Sequence, residues 1–281
     1  MSKLDLGLPS YMGRGIIFGL TTNYKPAAIY FVEGRSPPSR RRKLEIHPKE
    51  GIVRVNVNSE TGIEEMIMEG GNPDLLLYNS MKGDRDGLLV VSNGFQTDCD
   101  PIWEGEGRGK ENLKGSRSGG GIYYGIRFKK LKVGEALLKS LRESGSEVDP
   151  IRTARIAYVV DLEGSEPENH YAGIVTRPRY GKRFADHDEI GSTVFSPNKG
   201  EFIMFATYGV HNPPYYDAQP PSTLKPKLWS KRITLDGLTP GELSEEVWEA
   251  LPKEILVGVV AAMRDKRRPS SFNFSVKNMQ E

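Results

Sequence analysis

What this chain lacks narrows it first. It has one cysteine, Cys99, and four scattered histidines, and its 39 basic and 37 acidic residues leave a formal net charge of only +2. One cysteine excludes an internal disulfide and a thiolate metal cluster, and with no export signal a reducing cytoplasm is the expected setting. His47, His170, His187 and His211 show no metal-ligand spacing. They read as surface or loop residues, and neither a metal nor a cofactor is expected. So small a net charge gives no case for nucleic acid as a partner, and any anionic ligand must be small and held locally. No apolar segment approaches the length that crosses a bilayer, and the N-terminus has no signal-peptide h-region, so no membrane partner is expected.

What is present suits a soluble globular chain with generous loops: 37% hydrophobic and 27% charged residues over 281 positions, long enough to bury a sizeable core. The organising stretch is residues 75–98, LLLYNSMKGDRDGLLVVSNGFQTD. It reads as a hairpin of two apolar strands, at 75–78 and 88–91, joined by a polar turn rich in Gly and Asp. Apolar runs without alternation suggest strands covered on both faces. Both strands end in polar residues: Tyr78, Asn79 and Ser80 on one, Ser92, Asn93, Thr97 and Asp98 on the other. Buried amides and hydroxyls cost free energy unless they are paired, by the structure or by a ligand.

Taken in order, residues 11–21 and 27–32 form a first hairpin around a turn at 22–26. The chain then enters the basic stretch EGRSPPSRRRK at 33–43. Its two prolines keep it extended, and no aromatic residue interleaves for base stacking, so a solvated or small-anion role stands ahead of nucleic acid. Arg35 and Arg40, nearest the strand end, are the expected pocket members; Arg41, Arg42 and Lys43 read as surface. A capping-box spacing at Thr61 and Glu64 opens a short helix to Met68. Residues 100–121 are Gly-rich and charged, a long loop or flap whose Gly-x-Gly pieces match no phosphate-loop pattern. Leu131, Ala136, Leu137, Leu138 and Leu141 line one side of a helix ending near Gly145. Strands are expected at 156–160, 171–176 and 202–208, then a proline-rich irregular span at 209–228. Thr239, Pro240 and Glu242 open another helix, which buries Leu243, Val247, Trp248 and Leu251. The valines of 255–263 favour a strand, with 272–276 alternating beside it. About eight strands and three helices, the strands arriving as hairpins and no composition break between them, predict one layered α+β domain with antiparallel sheets.

Several short motifs then fall in a familiar order. Tyr11-Met12-Gly13-Arg14, the Gly34-Arg35-Ser36 turn with Arg40, Tyr78-Asn79, Val90-Val91-Ser92-Asn93-Gly94 with Thr97-Asp98, Thr153-Ala154-Arg155-Ile156 and Ala206-Thr207-Tyr208 span residues 11–208. Together they resemble the archaeal-type IMP cyclohydrolase family. The resemblance implies an N-terminal-nucleophile (Ntn) hydrolase-like fold, a four-layer αββα sandwich, with a family-like core at 11–208 and an extension at 209–281 packed on it. It also implies a homo-oligomer whose ligand is a purine ribotide.

The reaction so implied closes 5-formamidoimidazole-4-carboxamide ribotide (FAICAR) to inosine monophosphate (IMP) with loss of water. The carboxamide nitrogen is a poor nucleophile, and its attack on the formyl carbon gives a carbinolamine with charge building on oxygen. The enzyme must hold both arms in plane, donate to that oxygen and take a proton from nitrogen. By match to the family's motifs, Arg35 would neutralise phosphate or the developing oxyanion, Tyr78 would donate to the formyl oxygen, and Glu147 would be the acid/base or orient the amide. Arg14, Ser36, Arg40, Asn79, Asn93 and Arg155 would contact base or phosphate. The chain departs from the family where Ala154 replaces a proline and where Gly145-Ser146 replaces an aromatic before the glutamate. Two other readings compete. One is a purine-ribotide-binding protein without turnover. The other is an Ntn-type amide hydrolase, which needs a nucleophile at residue 1 of the mature chain, whereas Ser2 precedes a polar lead and Cys99 lies far along.

Overall fold

Apolar runs without alternation do fold here as strands buried on both faces. A computed structural model describes residues 11–57, 62–72, 76–97, 121–147, 152–166, 169–177, 179–180, 183–208, 230–264 and 271–279. In chain order the elements are β1 (Arg14–Leu20), β2 (Pro26–Glu33), α1 (Pro37–Arg40), β3 (Arg42–His47), β4 (Ile52–Val57), α2 (Gly62–Met68), β5 (Tyr78–Gly83) and β6 (Leu88–Ser92). They continue with α3 (Ile122–Arg127), α4 (Val133–Ser144), β7 (Arg155–Asp161), β8 (His170–Thr176), β9 (Arg179–Tyr180), β10 (Arg183–Phe184), β11 (Glu189–Phe195) and β12 (Glu201–Ala206). The last are β13 (Ser230–Thr234), α5 (Pro240–Ala250), β14 (Leu256–Arg264) and β15 (Phe272–Asn278).

The fold is α+β, with two large antiparallel sheets and few helices. One sheet has the order β13-β12-β1-β2-β14-β15, the other β11-β8-β7-β6-β5-β4-β3, and β9 and β10 form a small ribbon. The period-2 geometry of strands explains the burial. Along β2, Ala28, Tyr30 and Val32 join one apolar cluster, while Ala27, Ile29 and Phe31 join another. Along β7, Ile156, Tyr158 and Val160 share the first cluster with β2, while Ala157 and Val159 belong to a third. The shared cluster therefore lies between the sheets. Leu243, Val247 and Leu251 of α5 and its C-cap complete the second, and Ile122, Ile126, Ala136, Leu137 and Leu141 of α3 and α4 complete the third.

The local signals that held have local causes. Thr239 caps α5 by accepting from the Glu242 amide at 3.2 Å, and Gly145, at φ +60°, ends α4. Strand β14 pairs with both β2 and β15. Other expectations are corrected. The central hairpin is shifted: its first strand is β5 from Tyr78 onward and pairs Met81 with Val91, whereas Leu76 and Leu77 pack with Met66 of α2. A bulge between the Val53–Met81 and Arg54–Asn79 pairs lets Tyr78 and Met81 both enter the shared cluster. The basic stretch is not an extended loop. Pro37 and Pro38 open a one-turn helix, and strand β3 begins at Arg42. Arg42, read as surface, is 3% exposed, and His170, read as a surface or loop residue, is 2% exposed. In α4 the buried set is Ala136, Leu137, Ser140 and Leu141, with Leu138 only half-buried. Strands β3, β4, β9, β10, β11 and β13 and helix α3 were not foreseen. Thr61, Leu75, Asp98, Cys99, the Gly-rich stretch up to 120 and the proline-rich span at 209–228 lie outside the described residues.

Candidate active site

Arg14 opens β1, and the chain before it is tied down from two other strands. Glu33, ending β2, accepts through Oε2 from the amides of Met12 and Gly13 at 2.7 and 3.0 Å. Thr207, just after β12, accepts from the Arg14 amide at 3.1 Å and donates to the Met12 carbonyl at 3.0 Å. Gly13 has φ +71°, and a Cβ there would come within 2.6 Å of the Tyr208 ring. Only glycine fits a positive φ at so close an approach.

So placed, Arg14 reaches into the space between the sheets. Its Nη1 is 2.6 Å from Glu147 Oε1, and both side chains are nearly buried. Its guanidinium carbon sits 5.7 Å from the centre of the Tyr78 ring. The hydroxyls of Tyr78 and Tyr30 are 2.5 Å apart. Burial works against the charge on Arg14, but Glu147 and the two tyrosines outweigh it and hold its pKa well above the ordinary value. Burial, then Tyr78, push the Tyr30 hydroxyl well up, so it stays protonated.

Glu147 follows two small residues, Gly145 and Ser146, at the end of α4. After Gly145, Ser146 donates through its amide and its hydroxyl to the two oxygens of Asp188, at 2.9 and 2.8 Å. Arg177 donates to Asp188 at 2.8 Å, and the Glu147 amide donates to the Thr153 carbonyl at 2.9 Å. Partial burial disfavours the Asp188 charge, but the Ser146 amide and Arg177 hold its pKa below the usual carboxylate range.

A second group of residues adjoins the first. The Tyr11 and Tyr208 rings stack at 5.5 Å, and the Arg35 guanidinium lies 4.2 Å from the first ring centre and 5.6 Å from the second. Tyr208 and Thr153 share a hydrogen bond of 2.5 Å between hydroxyls. Burial pushes the Glu33 carboxyl up to about 7, against the two backbone amides and Arg35, which favour its charge. Arg42 lies close by, near Tyr78, Tyr30 and Arg14: its Nε donates to the Ser39 carbonyl at 2.8 Å and its Nη2 to the Glu33 carbonyl at 3.4 Å.

The residues expected from the sequence therefore divide. Arg14, Tyr78 and Glu147 converge. Arg35 lies in the neighbouring tyrosine group, and Glu147 pairs with Arg14. Ser36 and Arg40 are exposed at α1, where Ser36 bonds to Ser39 and Arg40 Nε donates to the Gly34 carbonyl at 3.1 Å. Asn79 accepts from Arg54 at 3.2 Å. Asn93 clamps the start of β7, donating to the Ala154 carbonyl at 3.0 Å and accepting from the Ile156 amide at 2.7 Å. Arg155 lies 4.6 Å from the Phe95 ring centre, beside Gln96. Tyr30, Glu33, Arg42 and Asp188 were missed. The available signal was weak: a tyrosine inside an apolar strand, and charges at strand ends.

In architecture and site this is an α+β protein with a charged cluster buried between two antiparallel sheets. The family described as IMP cyclohydrolase-like protein matches residues 11–111. The likeness to that family is thus shown over a stretch holding Arg14, Glu33, Arg35, Arg42 and Tyr78, while Glu147 and Arg155 lie beyond it. No curated protein matches the chain.

Proposed function

We propose that the protein is an IMP cyclohydrolase, closing FAICAR to IMP with release of water. The observation that carries this reading is the buried meeting of Arg14, Tyr78 and Glu147, although Arg14 and Glu147 stand 133 positions apart in the chain. An acid, a base and a fixed positive charge in one water-poor site are what the ring closure needs. The carboxamide nitrogen forms its bond to the formyl carbon, and the carbonyl electron pair moves to oxygen. Tyr78 donates to that oxygen, and Tyr30, hydrogen-bonded to Tyr78, completes a hydroxyl relay. Glu147 orients the carboxamide and takes its proton, with Arg14 keeping the carboxylate charged and aimed. The carbinolamine hydroxyl then takes the proton held by Glu147 and leaves as water while the formamido nitrogen forms a double bond to that carbon, and the proton of that nitrogen returns to Tyr78 as the ring becomes aromatic.

The family likeness over residues 11–111 supports a cyclohydrolase; Tyr78 keeps the role the resemblance implies, while Arg14 rather than Arg35 stands with Tyr78 and Glu147. The three apolar clusters, one between the sheets and one beyond each, support the four-layer Ntn-hydrolase-like sandwich. On the same reading the protein is a single domain and a homo-oligomer acting in the cytoplasm. The test is incubation with FAICAR while following the purine chromophore, with Tyr78→Phe and Glu147→Gln alongside. Conversion by the wild type that falls sharply in both variants is the expected result. Conversion no faster than in buffer would sink the proposal.

A further inference from the structure

The basic stretch at 33–43 hides a buried charge that has no ion pair among the described residues. Strand alternation places Arg42 on the same face of β3 as Leu44, which belongs to the apolar cluster between the sheets. Tyr30 and Tyr78 stand in that same cluster. Two of the three guanidinium nitrogens are used by backbone carbonyls, at Ser39 and Glu33. These hydrogen bonds fix the plane of the group but do not neutralise it. The third nitrogen, Nη1, is buried and has no hydrogen-bond partner, and Arg42 makes no ion pair, among the described residues. Its charge acts on the hydroxyls of Tyr78, Tyr30 and Tyr11 and on the Arg14 guanidinium. Arg14 is already matched by Glu147, so among the described residues the charge of Arg42 is a surplus at the inter-sheet site.

A buried guanidinium whose plane is fixed and whose third nitrogen is open is a receptor for an anionic oxygen. The oxyanion of ring closure exists only during the reaction and cannot balance that charge in the resting complex. A phosphate monoester is charged throughout. We propose that Arg42 is a substrate-binding residue that receives a phosphate oxygen of the ribotide through Nη1, so that it, and not the exposed Arg40, reads the ligand's charge. This rests on the site being the ribotide site proposed above.

The test separates the two ideas by binding. Calorimetry with IMP, inosine and inorganic phosphate would be run on the wild type, Arg42→Met and Arg42→Lys, with thermal unfolding as a check on folding. The wild type is expected to prefer IMP to inosine. In Arg42→Met that preference should shrink by about tenfold or more, with inosine binding unchanged and phosphate no longer competing. Arg42→Lys, which keeps a charge, should restore part of the preference, and it carries the test by a smaller loss if the methionine variant does not fold. An unchanged IMP-to-inosine ratio in both variants would overturn the assignment, as would a wild type with no preference for IMP. A wild type that binds IMP through Arg42 yet leaves FAICAR unchanged would uphold Arg42 and defeat the cyclohydrolase reading.

Discussion

Among the described residues, two polar inclusions interrupt the apolar space between the sheets, and they have been built differently. At one, the Tyr158 hydroxyl meets His170 Nδ1 at 2.8 Å, with the Phe18 ring stacked 4.3 Å from that of Tyr158. Burial alone acts there, pushing His170 down to about 4 and the Tyr158 hydroxyl up. At the other, the Tyr30–Tyr78 pair adjoins Arg14, Glu147 and Arg42. Both contain a hydrogen bond between buried aromatic side chains, so burial and bonding do not distinguish them. Charge does. A neutral pair can be a satisfied core feature, whereas buried ions cost several kcal/mol each unless something compensates them. The second inclusion is where the proposed ligand would have work to do.

The largest way to break the contrast is Arg14→Met. It strands Glu147 as a buried carboxylate, so a stability loss of about 3–5 kcal/mol is expected by denaturant unfolding, together with loss of FAICAR turnover. A loss below about 1 kcal/mol would mean that the pair is not what holds Glu147.

Next comes pH, where two buried groups pull oppositely. His170 has a folded pKa of about 4, below its ordinary 6.5. Its contribution is complete above pH 6.5 and is lost as pH falls through 4. Glu33 has a folded pKa of about 7, above its ordinary 4.5. Its contribution is complete below pH 4.5 and is lost as pH rises through 7. Each swing is about 3 kcal/mol, and between pH 4.5 and 6.5 they nearly cancel. Glu33→Gln should therefore make stability rise with pH in that window, relative to the wild type, by about 1.4 kcal/mol per unit. His170→Asn should make it fall by a similar amount. Parallel pH profiles for the wild type and Glu33→Gln would remove Glu33 from this role.

A smaller effect sharpens the comparison of hydroxyls. Tyr30→Phe and Tyr158→Phe should each cost about 1–2 kcal/mol of stability. Only Tyr30→Phe should slow FAICAR turnover, by about tenfold or more, because Tyr30 bonds the proposed donor. Equal turnover in the two variants would remove Tyr30 from the relay. Smallest is Asp188→Asn, which loosens Ser146 and so Glu147. Stability should drop by about 1 kcal/mol, with FAICAR turnover reduced and Tyr78 untouched.

Much of the fold was legible because its signals are local. The Thr239–Pro240 start of α5, the Gly145 end of α4 and the apolar runs of β1, β2, β7, β8 and β14 were visible in short windows. The edge strand β11 was not, since it is half-exposed and carries no run of apolar residues. Nor was the start of β5, because the leucines before it pack on α2 instead of pairing. Within the site, Arg14, Tyr78 and Glu147 were named through a family resemblance, and no spacing pattern would have joined them. Arg42 stood in a run of arginines that looked alike. Only strand alternation and the prolines before it separated a buried cation from solvated neighbours.

The sequence by itself determined most of the buried strands and the longer helices, that the sheets are antiparallel, and that neither an internal disulfide nor a strong overall charge governs the chain. Those properties follow from side-chain periodicity and composition, which are carried within a few residues. Tertiary structure alone decided which charges meet. It set Glu147 against Arg14, Asp188 behind Glu147, and Arg42 beneath the tyrosines. The physical reason is that burial and Coulombic pairing depend on distance in space, and residues far apart in the chain become neighbours only when the sheets close.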